Sequence, residues 1–268
     1  MTEDTKAALT KVPAVTLGFW IIKILATTFG ETAGDSVSMS WLGETTPDAS
    51  TSFWQGGYLI GTGIFASILA VLVVVQIRAK RFNPWLYWAT IIASTTAGTT
   101  MADLFTRSLG VGYPGCSIAL LGLVLLSLLI WHRALGTISV QSVHQPKAEL
   151  YYWVTITFSQ TLGTALGDWM ADGPLGYLGS AATFGALLAA LAIAYYRTSI
   201  SRVGLFWAAF ILTRPLGAVV GDFLDKPVAK GGLDLSRPVA SLVFGLVMAA
   251  LIMSVRQQAT SSRAAGEA

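Results

Sequence analysis

The sequence predicts an all-α polytopic membrane protein of eight transmembrane helices, organised as four parallel two-helix repeats. Three observations carry that class. The 268 residues are 54% hydrophobic and only 12% charged, with a mean hydropathy of +0.64, whereas soluble domains carry about 25% charged residues. Eight apolar stretches follow one another, each of the length a lipid bilayer requires. One residue pattern recurs on every odd stretch. This composition excludes a disordered chain, a nucleic-acid-binding domain and an ordinary soluble enzyme.

Charge, Pro and Gly bound the spans at about 13–35, 53–77, 84–103, 112–131, 150–168, 175–196, 203–222 and 238–255. Pro13 and Pro84 are expected near first-turn positions, where proline is tolerated. Gly57-Tyr58, Gly112-Tyr113 and Gly176-Tyr177 open three of the even spans, and Arg237-Pro238 opens the last. Residues 1–10 hold two acids, one lysine and no small-residue cleavage site, so the first span is expected to stay as a helix. The longest connections, 36–52 and 132–149, leave no room for a soluble catalytic domain.

The basic residues sort by side. Lys6, Lys11, Arg78, Lys80, Arg81, Arg133, Lys147, Arg197, Arg202, Arg256 and Arg263 flank one side; Arg107, Lys226, Lys230 and Arg237 flank the other. The positive-inside rule then puts both termini in the cytoplasm of a bacterial inner membrane. Lys23 and Arg214 fall within spans.

The repeat units are expected at about 13–78, 84–132, 150–197 and 203–255. Their odd helices read FWIIKILATTFGETAGD, YWATIIASTTAGTTMAD, YWVTITFSQTLGTALGD and FWAAFILTRPLGAVVGD. Trp20, Trp88, Trp153 and Trp207 each follow an aromatic residue. Asp35, Asp103, Asp168 and Asp222 each stand 15 residues later. Gly30, Gly98, Gly163 and Gly217 lie five before the aspartates, and Gly34, Ala102, Gly167 and Gly221 directly before them. Each unit crosses twice, so all four enter in one orientation and should pack around an axis along the membrane normal. Fifteen residues separate tryptophan and aspartate by about 22 Å. The aromatic pairs suit the cytoplasmic interface, which leaves the aspartates near the outer ends of their helices. Negative charge is disfavoured at a helix carboxyl end, so something must compensate it. The small residues, spaced by four, let backbones approach closely.

Ionisable residues inside a membrane are costly and mark function. Glu31, Asp35, Asp103, Asp168 and Asp222 face the cations Lys23 and Arg214, and Asp172 and Asp225 extend the acidic set. Thr27, Thr28, Thr32, Thr95, Thr96, Thr99, Thr100, Thr161 and Thr164 lie on the same turns. Oxygen donors without histidine or thiolate suit a hard divalent ion, Mn²⁺, Mg²⁺ or Ca²⁺. Met101 and Met170 could admit a softer one. The candidate metal ligands are therefore Glu31, Asp35, Asp103, Asp168 and Asp222, with Thr95, Thr99, Gln160, Thr164 and Arg214 as tuning or gating residues. Eight residues before the aspartates stand Thr27, Thr95, Gln160 and Arg214, a fixed cation in one unit of four. Arg214 could pair with a carboxylate, Glu31 or Asp172, and release it when a cation arrives. Pro215 should kink its helix. Lys23 is expected to snorkel toward the cytoplasm. His132 and His144 read as solvated loop residues, and the lone Cys116 as a packing residue.

On the four aromatic-Trp to Gly-Asp segments the chain resembles a family of uncharacterised bacterial multi-pass proteins labelled membrane-anchored, which implies a membrane location and no chemistry. A looser resemblance links it to manganese and calcium exchangers whose signature is E-x-G-D followed by Lys or Arg. Glu31-Thr32-Ala33-Gly34-Asp35-Ser36 has one residue more, and serine follows it.

The leading expectation is a transporter or exporter of a divalent cation, Mn²⁺ before others, and not an enzyme. Its partners would be the lipid bilayer and the cation, and no nucleic acid; a protein partner or homo-oligomer stays open. The alternative is a non-transporting membrane-embedded binding or partner subunit, whose acids hold a structural ion or a polar network. A third reading, an oxidoreductase component, rests on nine tryptophans and eight tyrosines and lacks any haem or flavin motif.

Overall fold

In a computed structural model, residues 10–44, 56–255 and 257–260 are described. Eight long helices follow in order: α1 Leu17–Asp35, α2 Gly57–Arg78, α3 Pro84–Asp103, α4 Gly112–Leu135, α5 Pro146–Ala171, α6 Gly176–Arg197, α7 Arg202–Asp225 and α8 Arg237–Ser254. The described residues hold no strand beyond one isolated bridge.

Local sequence starts and stops these helices. The Thr16 hydroxyl, the Asn83 side-chain oxygen and the Ser201 hydroxyl accept from the first-turn amides of α1, α3 and α7, satisfying donors that a helix start leaves free. Pro84 and Pro146 occupy first-turn positions. Gly112 and Gly176 adopt left-handed backbone at the starts of α4 and α6, with φ of 73° and 60°, a conformation glycine takes without penalty. Pro13, expected inside the first helix, lies before it, in a segment bridged to Ala259. Phe53, the expected start of the second span, lies outside the described residues.

The odd helices form an inner ring in which α1 packs on α3, α3 on α5, α5 on α7 and α7 on α1. The even helices wrap this ring, and each joins the repeat that follows it: α2 packs chiefly on α3, α4 on α5, α6 on α7 and α8 on α1. By length and composition α2, α4, α6, α7 and α8 can each cross a membrane. The polar side chains that lower the hydropathy of α1, α3 and α5 are buried in the ring, among them Thr27, Thr95, Thr99, Gln160 and Thr164 at 0% exposure. The outer helices present Ile64, Val71, Leu125, Ile193 and Leu246 outward, the surface that lipid accepts.

The aromatic pairs lie inside the ring rather than at its rim. Tyr87, Trp88, Tyr152, Trp153 and Trp207 are at most 3% exposed. Phe19 meets Trp88 at 5.5 Å, Tyr87 meets Trp153 at 5.8 Å, Tyr152 meets Trp207 at 6.2 Å and Phe206 meets Trp20 at 5.7 Å between ring centroids. Each unit's first aromatic thus touches the next unit's tryptophan, and the fourth returns to the first. Edge and tilted contacts of this kind contribute beyond area burial. Here these rings pack on one another across the units.

Beneath this layer residues 10–14 meet residues 258–260. Ala14 donates to the Gln258 carbonyl at 2.8 Å and Thr260 donates to the Val12 carbonyl at 3.0 Å. The Lys11 ammonium donates to the last carbonyls of α2, Gln76 and Ile77, at 2.9 Å each, and pairs with Glu149 at 2.7 Å. Val12 packs into the aromatic core. This strap seals one end of the ring, and the aspartates occupy the other.

Candidate functional site

Glycine sets how closely the inner helices approach. A Cβ on Gly30 would overlap Thr95, one on Gly163 would overlap Arg214, and one on Gly217 would overlap Thr27. On Gly98 it would stand 2.9 Å from the Cβ and carbonyl carbon of Gln160. The rule is the aromatic one again: each repeat glycine receives the residue eight before the next unit's aspartate. Close approach lets Thr95 donate to the Ala26 carbonyl and Thr27 to the Thr213 carbonyl, each at 3.2 Å across helices.

Above the glycines Arg214 crosses the axis. It is fully buried. Its Nη1 donates to Glu31 at 2.8 Å, its Nη2 donates to the Thr99 hydroxyl at 2.7 Å, and Nη2 also donates to Thr164. Glu31, Thr99 and Thr164 each stand four before their aspartate, so one guanidinium gathers the same position from the three other repeats. Of the two pairings open from sequence, Glu31 is the partner. Asp172 instead accepts from Tyr113 at 2.7 Å.

The aspartates form the next layer, and two cations clasp them in pairs. Arg107 lies 3.0 Å from both Asp103 and Asp168. Lys226 lies 2.6 Å from Asp35 and 2.8 Å from Asp222, with Asp225 at 3.8 Å. Each cation bridges its own unit's aspartate to that of the following unit. Sequence reasoning placed Arg107 and Lys226 in outer flanks and missed this role. Their spacing of four after Asp103 and Asp222 was the available signal, because side chains four apart share a helix face; the equivalents in the other units are Met39 and Asp172. Burial works against the Lys226 ammonium, but Asp222, Asp35 and Asp225 raise its pKa well above the ordinary lysine value. These cations are the compensation that four carboxylates at helix carboxyl ends require.

The acids converge. Glu31, Asp168 and Asp222 offer oxygens within 4.8 Å of one another, as do Asp35, Asp222 and Asp225. One oxygen of Asp35 and one of Asp168 are buried without a hydrogen-bond partner among the described residues. The threonines divide. Thr99 and Thr164 reach the axial charges, whereas Thr28, Thr32, Thr96, Thr100 and Thr161 donate to carbonyls of their own helices. The Gln160 amide is fully buried with no hydrogen-bond partner among the described residues. Met101 accepts from Thr161 at 3.8 Å, and Met170 packs against the cluster of Tyr177 and Phe184.

Lys23 does not snorkel. It is fully buried, and its ammonium lies 4.2 Å from the centroid of the Phe210 ring, a cation–π contact that replaces part of its lost hydration. Cys116 is buried among Ala102, Leu120, Val124, Leu162 and Ala165, a packing position as expected. His132 and His144 are exposed, outside the acid layer.

A family model described as Repeat of Unknown Function (DUF347) matches residues 18–82, 86–137, 151–201 and 205–260. No curated protein and no solved structure matches the chain.

Proposed function

The chain belongs to the DUF347 repeat family, and from the acid layer its four units build we propose a transporter or exporter of a divalent cation, Mn²⁺ before Mg²⁺ or Ca²⁺. The observation that carries this reading is the buried pair of three-carboxylate groups, Glu31–Asp168–Asp222 and Asp35–Asp222–Asp225, sharing Asp222. Oxygen-only donors favour hard divalent ions. Six acids, Glu31, Asp35, Asp103, Asp168, Asp222 and Asp225, share the bundle with Arg214, Arg107, Lys226 and, at the rim, Arg237, a formal excess of negative charge that an incoming cation relieves.

The strap and the aromatic ring close the end opposite the acids. In a bacterial inner membrane with that end in the cytoplasm, the acids would load from outside, and release would need movement at the seams between repeats. Mn²⁺ flux into proteoliposomes tests the reading. Wild-type protein is expected to carry Mn²⁺ down a gradient, and Asp222→Asn, which touches both groups, to abolish that flux. Absence of flux under every gradient ends the proposal.

A second reading is favoured by a specific observation: each repeat aspartate already lies within 3.0 Å of Arg107 or Lys226. The acids would then form a polar network that fixes how the repeats meet. Stoichiometric Mn²⁺ binding without flux, or neither, would favour it.

A further inference from the structure

The two clasps are chemically unequal. Arg107 is held from four sides: Nε on Asp103 and Nη2 on Asp168 at 3.0 Å each, Nη1 donating to the Tyr58 hydroxyl at 3.2 Å and Nη2 to the Tyr113 hydroxyl at 3.4 Å. A planar fork with that many partners has one arrangement. Lys226 is a point charge on a flexible stem. It is anchored just past α7, at the rim, with 12% of its side chain exposed.

The backbone beneath Lys226 is fixed. Its amide donates to the Asp222 carbonyl at 2.9 Å, and Asp234 donates to the Lys226 carbonyl at 2.9 Å. The returning loop donates from Leu233 to Phe223 and from Leu235 to Leu224, at 2.8 Å each. Gly232 sits so close to the Lys226 carbonyl that no side chain fits there. The lysine side chain alone stands outside this backbone frame, held by its ion pairs at the rim.

The ammonium also leaves its cage incompletely used. Asp35 is 1% exposed, and its Oδ1 has no hydrogen-bond partner among the described residues. Counted as ionised, Asp35, Asp222 and Asp225 set three negative charges against Lys226 and, at the rim, Arg237, whose Nε is 3.3 Å from Asp225 and 4.0 Å from Asp35. That set retains one negative charge. Exchange of the ammonium for a monovalent ion leaves the deficit; exchange for a divalent ion removes it.

We infer that Asp35, Asp222 and Asp225 form the loading site for the divalent cation, and that Lys226 is a tethered counter-cation which the ion must displace. This deepens the transport reading and rests on it for the ion's purpose. The Arg107 clasp is the static half, and the Lys226 clasp the exchangeable one. Lys226 thereby sets charge selectivity, since a monovalent ion gains nothing over the amine already in place.

The test uses the full chain in lipid nanodiscs, with Mn²⁺ alone as the probe, titrated by electron paramagnetic resonance. Lys226→Met is expected to bind Mn²⁺ about tenfold tighter than wild type, or more, roughly 1.4 kcal/mol. Asp225→Asn on that background is expected to return at least the same factor. A Lys226→Met protein that elutes as wild type yet binds Mn²⁺ no tighter overturns the inference, as does failure of both to bind. A second measurement needs no variant: an amine-reactive reagent should label Lys226 of the wild-type protein faster with Mn²⁺ present, and an unchanged rate also overturns it. The two proposals fail separately. The expected binding pattern without flux removes transport and keeps the site; flux with unchanged affinity in Lys226→Met does the reverse.

Discussion

Replacing Arg214 with methionine keeps an unbranched apolar stem and removes the charged head. Arg214 is fully buried and donates to Glu31, Thr99 and Thr164. Its loss leaves the Glu31 carboxylate, 2% exposed, with a single donor, Thr99 at 3.3 Å. Breaking a buried pair by removing one partner costs about 3–5 kcal/mol, because a charge is left uncompensated. For a domain of this size each kcal/mol corresponds to roughly 2–4 °C, so Arg214→Met should melt about 10 °C lower. The assay is tryptophan fluorescence during heating of detergent-solubilised protein. The charge argument makes a sharper demand on the double variant. Adding Glu31→Gln removes the orphaned charge, and the deficit should shrink to about 1–2 kcal/mol, the cost of lost neutral hydrogen bonds. A double variant as unstable as Arg214→Met alone would refute the reasoning, as would a single variant within about 1 kcal/mol of wild type.

Gly98→Ala should destabilise by about 1–3 kcal/mol, since the new methyl meets the Gln160 backbone, which cannot yield; Gly122→Ala, with nothing within 4 Å, should be neutral or slightly stabilising in the same melt. Lys11→Met should leave Glu149, just before the fifth predicted span, buried without its cation. Burial already raises the Glu149 pKa, against the pull of Lys11, and the variant should raise it further. A carboxyl raised in the folded state binds its proton more tightly there than in the unfolded chain, so stability falls as pH rises through the folded value. The deficit of Lys11→Met should therefore be larger at pH 8 than at pH 5 by differential melting, and a pH-independent deficit would show that the carboxyl is not what the strap neutralises.

Much of this architecture was legible because the repeat is written in scarce residues. Tryptophan, glycine and intramembrane aspartate at fixed spacing announce four equivalent helices, and equivalence brings their acids to one depth. The identity of each neighbour was not legible. That Gly30 receives Thr95, and that α2 leaves its own unit to pack on α3, depends on the direction in which the units advance around the axis, and no single helix encodes it. The aromatic pairs were read for depth alone, which left their neighbours open: an amphipathic ring serves either a lipid interface or another ring, and composition does not distinguish them. Arg107 and Lys226 were counted by side of the membrane, which treats a loop cation as facing water. Here the chain past α3 continues in a π-helical turn, Leu104–Ser108, and returns Arg107 over its own aspartate.

The handing of each outer helix to the next unit has a topological consequence. Because α8 covers the first unit's inner helix, and residues 10–14 are hydrogen-bonded to residues 258–260, the described units close on themselves. Closing the ring therefore needs the fourth unit to dock on the first, and three units alone lack the wall that covers α1. Each seam of the ring thus joins an outer helix of one unit to the inner helix of the next, and a change at one seam reaches two units.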